Sequence, residues 1–189
     1  MMITTEQELR ESIQYEFKLY FKSCMDYLRA FVMREKRWHI WQLQKDLRRL
    51  EYLSGEGKRK RMAYAFYSRR VNRKSLRLGM DVWHSCFGKG LLIYHSQGIV
   101  VNSLARIGQN CHLHGNNCIG NDGIHPECPI IGNNCELGVG AIVIGNVLLG
   151  NNVRIAASAV VNKSFMEDNI LLAGVPARIV KKYSCNETM

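Results

Sequence analysis

From residue 91 onward, apolar side chains recur every six residues. They fall at Val101, Ile107, Leu113 and Ile119, then at Ile131, Leu137, Val143, Leu149, Ile155 and Val161. The residue after many of them is small (Gly108, Gly120, Gly132, Gly138, Gly150, Ala156), and the fifth place of each hexad is small or β-branched (Ala105, Cys111, Cys135, Ala141, Val147, Val153, Ala159). A six-residue hydrophobic repeat predicts a parallel β-helix, in which each hexad supplies one flat side and three hexads close a triangular coil of about 18 residues. The repeating aliphatic points inward and stacks on its copies. Cys111 and Cys135 occupy the small inward place, where a thiol serves as a compact hydrophobe rather than a metal ligand.

Residues 5–78 follow a different period, with apolar positions three and four apart and charges between them, so this half reads as helix. Three segments are expected. Thr5 and Glu8 form a capping box that opens a stretch in which Leu9, Ile13, Phe17, Tyr20, Leu28 and Phe31 share a face. A second runs from about Trp38 to Leu53 and stops at Gly55 and Gly57, and a third runs from about Lys58 to Leu78 and ends at Gly79. The predicted class is mainly β, a β-helix preceded by a helical region. Its boundaries are 1–90 for the basic helical region, 91–180 for the β-helix and 181–189 for a C-terminal tail.

Charge separates the same two halves. The net charge of +10 arises entirely in residues 1–90, which hold 20 Lys and Arg against 10 Asp and Glu, whereas residues 91–189 hold 6 against 6. A basic half fits phosphates, an anionic membrane surface or nucleic acid, and equally fits a solvated helical surface. No apolar run approaches the roughly 18 residues that span a bilayer, and the opening Met1 to Glu11 has no apolar core of a signal peptide. Seven cysteines without a C-x-x-C pair imply reduced thiols, hence a cytoplasmic protein with peripheral membrane contact as an option.

The hexads, the block Leu91 to Val101 and the closing block Ala173 to Arg178 resemble those of the hexapeptide-repeat acyltransferases, over Gly90 to Lys182. Within that group they look most like serine acetyltransferases and the similar enzymes of capsule and exopolysaccharide pathways. The resemblance implies a left-handed coil, a homotrimer with active sites between subunits, and acetyl-CoA as donor with no metal. His95 lies six residues before Val101 and so breaks the inward register with a polar group. Spacing alone leaves a satisfied core histidine as the alternative, but the matching histidine of serine acetyltransferases is the catalytic base. His125 breaks the register again, in the loop-forming stretch Asn121 to Pro129; its match contacts the acceptor across the subunit boundary. Asp81 is the nearest upstream carboxylate and the candidate to orient His95, although the stretch between them is one residue shorter than in the family. His112 and His114 flank an inward leucine and read as outward surface residues, and His39 and His84 as structural.

The positions matching Gly138, Val139, Ala157, Lys163 and Arg178 line the family's CoA groove, with Lys163 and Arg178, helped by Lys181 and Lys182, set for phosphates. Two departures bear on the acceptor. Serine acetyltransferases carry an aspartate immediately before the first histidine and an arginine before the second, whereas this chain has Tyr94 and Ile124. Burying a zwitterion without charge partners costs on the order of several kcal/mol, so a saccharide acceptor, such as a lipid-linked capsule or exopolysaccharide precursor, is expected here. Serine, acetylated for cysteine synthesis, is the alternative. A non-catalytic trimeric scaffold with a nucleic-acid-binding helical region is a third reading, which no recognisable motif supports.

Overall fold

The computed structural model describes residues 3–54 and 58–184. Gly55 and Gly57, the side chains of 58–60, and the residues beyond 184 lie outside the described residues, so the expected glycine stop, the start of the basic run and most of the tail are not placed.

Four helices come first: α1 (Glu6–Tyr20), α2 (Cys24–Val32), α3 (Lys36–Leu53) and α4 (Lys58–Leu78). The capping box at Thr5 and Glu8 is present. The single first helix expected from the pattern is broken, because Phe21 turns extended (φ −135°) and Ser23 caps a new helix by accepting from the Asp26 N–H. In consequence Leu28 and Phe31 are exposed, while Tyr20 and Phe21 pack with Trp41 in the core. Gly79 ends α4 at φ 63°, as the sequence implies.

Strands β1 (Met80–Val82), β2 (Leu92–Ile93), β3 (Ile99–Val101), β4 (Arg106–Ile107), β5 (His112–Leu113), β6 (Cys118–Gly120), β7 (Ile130–Ile131), β8 (Glu136–Leu137), β9 (Ile142–Ile144), β10 (Leu148–Leu149), β11 (Arg154–Ile155), β12 (Val160–Val161), β13 (Ile170–Gly174) and β14 (Ala177–Lys182) then wind a left-handed parallel β-helix. Its first face is β1-β3-β6-β9-β12. Its second is β4-β7-β10, joined by bridges from Phe87 and Phe165, and its third is β2-β5-β8-β11-β13, closed by antiparallel β14. All ten repeating aliphatics are buried, as are Cys111 and Cys135 at the small inward place. Burial raises the Cys135 thiol to about 11.

The coil begins at Met80, eleven residues before the expected start at 91, and reaches past 180. Val82 pairs with Val101, Phe87 with Ile107 and Ile93 with Leu113, spacings of 19, 20 and 20 residues that escape a strict 18-residue count. At the other end Lys181 and Lys182 belong to β14, which covers the last edge of the third face. One coil is lengthened by six residues (Ile119 pairs with Val143), because 121–129 leaves the coil as a loop. At the corner between the second and third faces Asn110, Asn134, Asn152 and Asn169 all adopt positive φ, and their amides bond in the pairs Asn110–Asn134 and Asn152–Asn169, both at 2.9 Å.

The helices grip the irregular first coil through buried polar groups. The Arg48 guanidinium pairs with Glu16 (2.6 Å) and Glu51 (3.1 Å) and donates to the carbonyls of Phe87 and Gly88. Glu16 also accepts from the Gly90 N–H at 3.0 Å. Gln44 donates to the Leu91 carbonyl and accepts from the Tyr20 hydroxyl, which in turn accepts from the Ile93 N–H at 2.9 Å. Several of the basic side chains are paired internally as well: Arg49, Arg70 and Lys74 converge on the buried Asp46, and Arg37 holds Asp26 and Glu35. Among the described residues no helix is long and apolar enough to cross a membrane.

Candidate active site

The corner joining the third face to the first is built from 94–98, 114–117, 138–141 and 156–159, one segment per coil. Successive segments are tied by backbone bonds: Asn116 N–H to Gln97 O (2.8 Å), Gly140 N–H to Gly115 O and Ser158 N–H to Val139 O (both 2.9 Å). His95 stands on the lowest segment and is exposed. This corrects the expectation of an inward histidine: the 20-residue spacing of the first coil puts Ile93, not His95, on the inward stack above which Leu113 sits. A polar side chain there needs no buried partner, and among the described residues none bonds to the imidazole.

Glycine lets the next segment rest on that histidine. A Cβ on Gly115 would fall 3.0 Å from the His95 Cβ, and Gly115 sits at φ 114°. Asn117, fully buried, accepts from the Gly115 N–H (2.9 Å) and donates to the Gly138 carbonyl (2.8 Å), riveting two segments of the corner. Above it a Cβ on Gly138 would lie 2.7 Å from the Ala157 nitrogen, so only glycine allows that stacking. Val139 and Ala157 are exposed on the same corner, small side chains that leave backbone open beside them. Gly138, Val139 and Ala157 thus share an edge with His95. Lys163 lies on the corner between first and second faces, with its ammonium 5.4 Å from the Phe165 ring centre, and Arg178 lies on β14 opposite Ala173.

The other sequence-predicted groups are more scattered. Asp81 faces outward from the first face beside Val100 and makes no hydrogen bond to His95 within the chain. His125 and the exposed Ile124 sit on the extruded loop 121–129, at the first–second corner, so the whole first face separates them from His95. Asp122, which the sequence reading passed over, organises that loop. It accepts from the Ile124 and His125 N–H groups (2.9 and 2.7 Å) and meets the His125 Nδ1 at 3.0 Å. That bond raises the His125 pKa above the ordinary histidine value, while the His125 side chain and the two backbone N–H groups hold the Asp122 carboxyl well below the usual range. An NMR titration is expected to show His125 losing its proton at higher pH than a free histidine, and in Asp122→Asn the midpoint should fall; an unmoved midpoint counts against the pair.

Also unrecognised in the sequence was the company of Tyr94. Its ring stacks on His114 (centroids 4.5 Å apart, 24° between planes), and His114 Nε2 lies 2.7 Å from a Glu136 carboxylate oxygen. The signal was present: two histidines flanking one inward leucine share an outer face with whatever stacks below. Among the described residues no three His, Cys, Asp or Glu side chains cluster to hold a metal.

A left-handed hexapeptide β-helix with an exposed histidine below a small-residue corner defines the class. Comparison with known proteins agrees: the bacterial transferase hexapeptide model (six repeats) matches residues 128–163. The serine acetyltransferase of Synechococcus elongatus is 34% identical over 95 residues, 49% of this chain and 38% of that protein. That of Staphylococcus aureus is 34% identical over 100 residues, 50% of this chain and 45% of that one. The chain therefore spans less than half the length of these curated relatives. Among solved structures, the serine acetyltransferase of Brucella abortus in complex with coenzyme A superposes with a TM-score of 0.71 at 27% identity, covering 94% of this chain and 68% of that one. The Neisseria gonorrhoeae serine acetyltransferase gives a TM-score of 0.70 at 26% identity, covering 94% and 66%.

Proposed function

We propose that the protein is an acetyl-CoA-dependent O-acetyltransferase of the serine acetyltransferase type, with His95 as general base. The observation that carries this reading is the exposed His95 on the same corner as Gly138, Val139 and Ala157. There a thioester threaded along the open backbone meets a base at its foot. His95 would take the proton of the acceptor hydroxyl as its oxygen attacks the thioester carbonyl, and would return a proton to the departing CoA thiolate. Val139 and Ala157 fit a pantetheine arm, and the structural neighbour with coenzyme A bound supports that donor. Lys163 and Arg178 would meet phosphates from outside the corner.

The single chain keeps His95 and His125 apart, which favours a homotrimer in which the loop 121–129 of one subunit reaches the His95 corner of the next. Light scattering is expected to give three times the chain mass, and a monomer at micromolar concentration would sink the shared site.

The relatives' names favour serine as acceptor, in place of the saccharide expected from the sequence. The saccharide remains the second reading on one observation: Tyr94 and Ile124 are exposed and uncharged where serine acetyltransferases carry charges. The test is kcat/KM for serine and for an oligosaccharide or lipid-linked sugar in the unmodified enzyme. A sub-millimolar KM for serine settles for the amino acid, whereas saccharide turnover with negligible saturation by serine reverses the order. In the second case Tyr94→Asp/Ile124→Arg should improve serine more than sugar.

A further inference from the structure

A column of polar and aromatic side chains climbs the outside of the third face beside the His95 corner. In register, Leu92, His112, Glu136 and Arg154 occupy successive rungs. Two residues beyond the first two rungs, Tyr94 and His114 stack face to face, and His112 meets the Tyr94 ring edge-on at 6.1 Å. The Glu136 carboxylate lies 2.7 Å from the His114 Nε2 and, being an acceptor only, pairs with a proton on that nitrogen, which anchors the imidazole. The guanidinium of Arg154 stands 3.8 Å from the other Glu136 oxygen and lies over the Tyr183 ring at 4.8 Å. Each member holds the next.

The lower end of this column is the one that borders the base. Tyr94 is the chain neighbour of His95, is 45% exposed, and offers a flat face where the family's pattern has a carboxylate. An isolated exposed tyrosine samples several rotamers, and freezing one on a ligand costs entropy. A ring already stacked on an anchored imidazole has little of that freedom left to lose. We propose that His114, held by Glu136, is a positioning residue that fixes the Tyr94 ring as the platform on which the acceptor lies while His95 takes its proton. The ligand class is an uncharged, hydroxyl-bearing face: the C–H side of a sugar ring, or the side-chain methylene of a hydroxy amino acid. The inference rests on the acetyltransferase reading above, and adds residues that neither touch the reacting atoms nor belong to the CoA edge.

The experiment is steady-state kinetics of His114→Ala, His114→Phe and Glu136→Gln, varying acceptor and acetyl-CoA separately. His114→Ala should raise the acceptor KM at least about tenfold while the acetyl-CoA KM and kcat stay within about twofold. Glu136→Gln, whose amide oxygen still accepts from the imidazole, should raise it less, and His114→Phe, which keeps a flat ring under no hydrogen bond, should recover much of the loss. An unchanged acceptor KM in His114→Ala overturns the proposal, as does a parallel rise in the acetyl-CoA KM. The Tyr94 ring protons provide a readout independent of turnover: in His114→Ala they should lose the ring-current shift of the stack, and unaltered shifts overturn the positioning. If the wild type transfers acetyl to neither serine nor saccharide, the parent reading fails and takes the acceptor role with it, while the shift measurement still judges the stack.

Discussion

Replacing His95 by alanine is expected to lower acetyl transfer by about 10²- to 10⁴-fold, the usual worth of a general base, with the fold unchanged. The unchanged fold follows from where His95 stands. Its ring is exposed and makes no hydrogen bond among the described residues, so deleting it leaves none of them with an unsatisfied buried partner. The atom on which the next coil rests is the His95 Cβ, beneath Gly115, and alanine keeps that atom. The melting temperature and the oligomeric mass should therefore match the wild type, while acceptor-dependent thiol release from acetyl-CoA collapses. Wild-type release by His95→Ala would remove the base from this corner. A lost trimer would show instead that the histidine is structural.

How far the sequence reached depended on periodicity. Ten stacked aliphatics one hexad apart leave little room for an architecture other than a parallel β-helix, and all ten line its interior. The period failed where the chain departs from it: the first coil is one or two residues too long on every face, so β1 went unseen and His95 was assigned to the inward stack that Ile93 fills. An insertion at a corner is invisible to a count that assumes its phase. The loop 121–129 was legible because two prolines and a glycine mark it, whereas its organiser Asp122 was not, since an Asx-type turn depends on backbone geometry. Asn117 and the Tyr94–His114–Glu136 column join residues about a coil apart, and such contacts are fixed only once the register between coils is known. The helical half showed its period but not its break at Phe21, because the break comes from burying an aromatic rather than from a glycine or proline.

That helical half carries the other large effect expected. In Arg48→Met, Glu16 and Glu51 would keep their buried positions, with side chains 0% and 2% exposed, and lose the cation between them. Removing one partner of a buried ion group typically costs on the order of 3–5 kcal/mol, because the surviving charge is left unpaired in a medium that solvates it poorly. For a chain of this length that corresponds to a fall in melting temperature of roughly 6–20 °C. Two pKa directions agree with a tightly coupled group: burial pushes Glu51 up, against the pull of Arg48, while the two carboxylates hold Arg48 above the usual guanidinium value despite its own burial. Replacing all three, as Glu16→Leu/Arg48→Met/Glu51→Leu, should recover part of the loss, since no charge is then stranded, though the Gly90 N–H and the Phe87 and Gly88 carbonyls lose their partners. Those three backbone groups lie in the coil that leads directly into Tyr94 and His95. The single variant, assayed well below its melting temperature, is therefore expected to lose catalytic rate as well as stability, because the coil that leads into His95, the proposed base, loses the Arg48 bonds to Phe87 and Gly88 that help tie it to the helices. Calorimetry and kcat measured on the same preparation decide it: a melting temperature within about 2 °C of wild type would show that the ion group contributes little, and full activity in a destabilised variant would show that the first coil holds its shape without it.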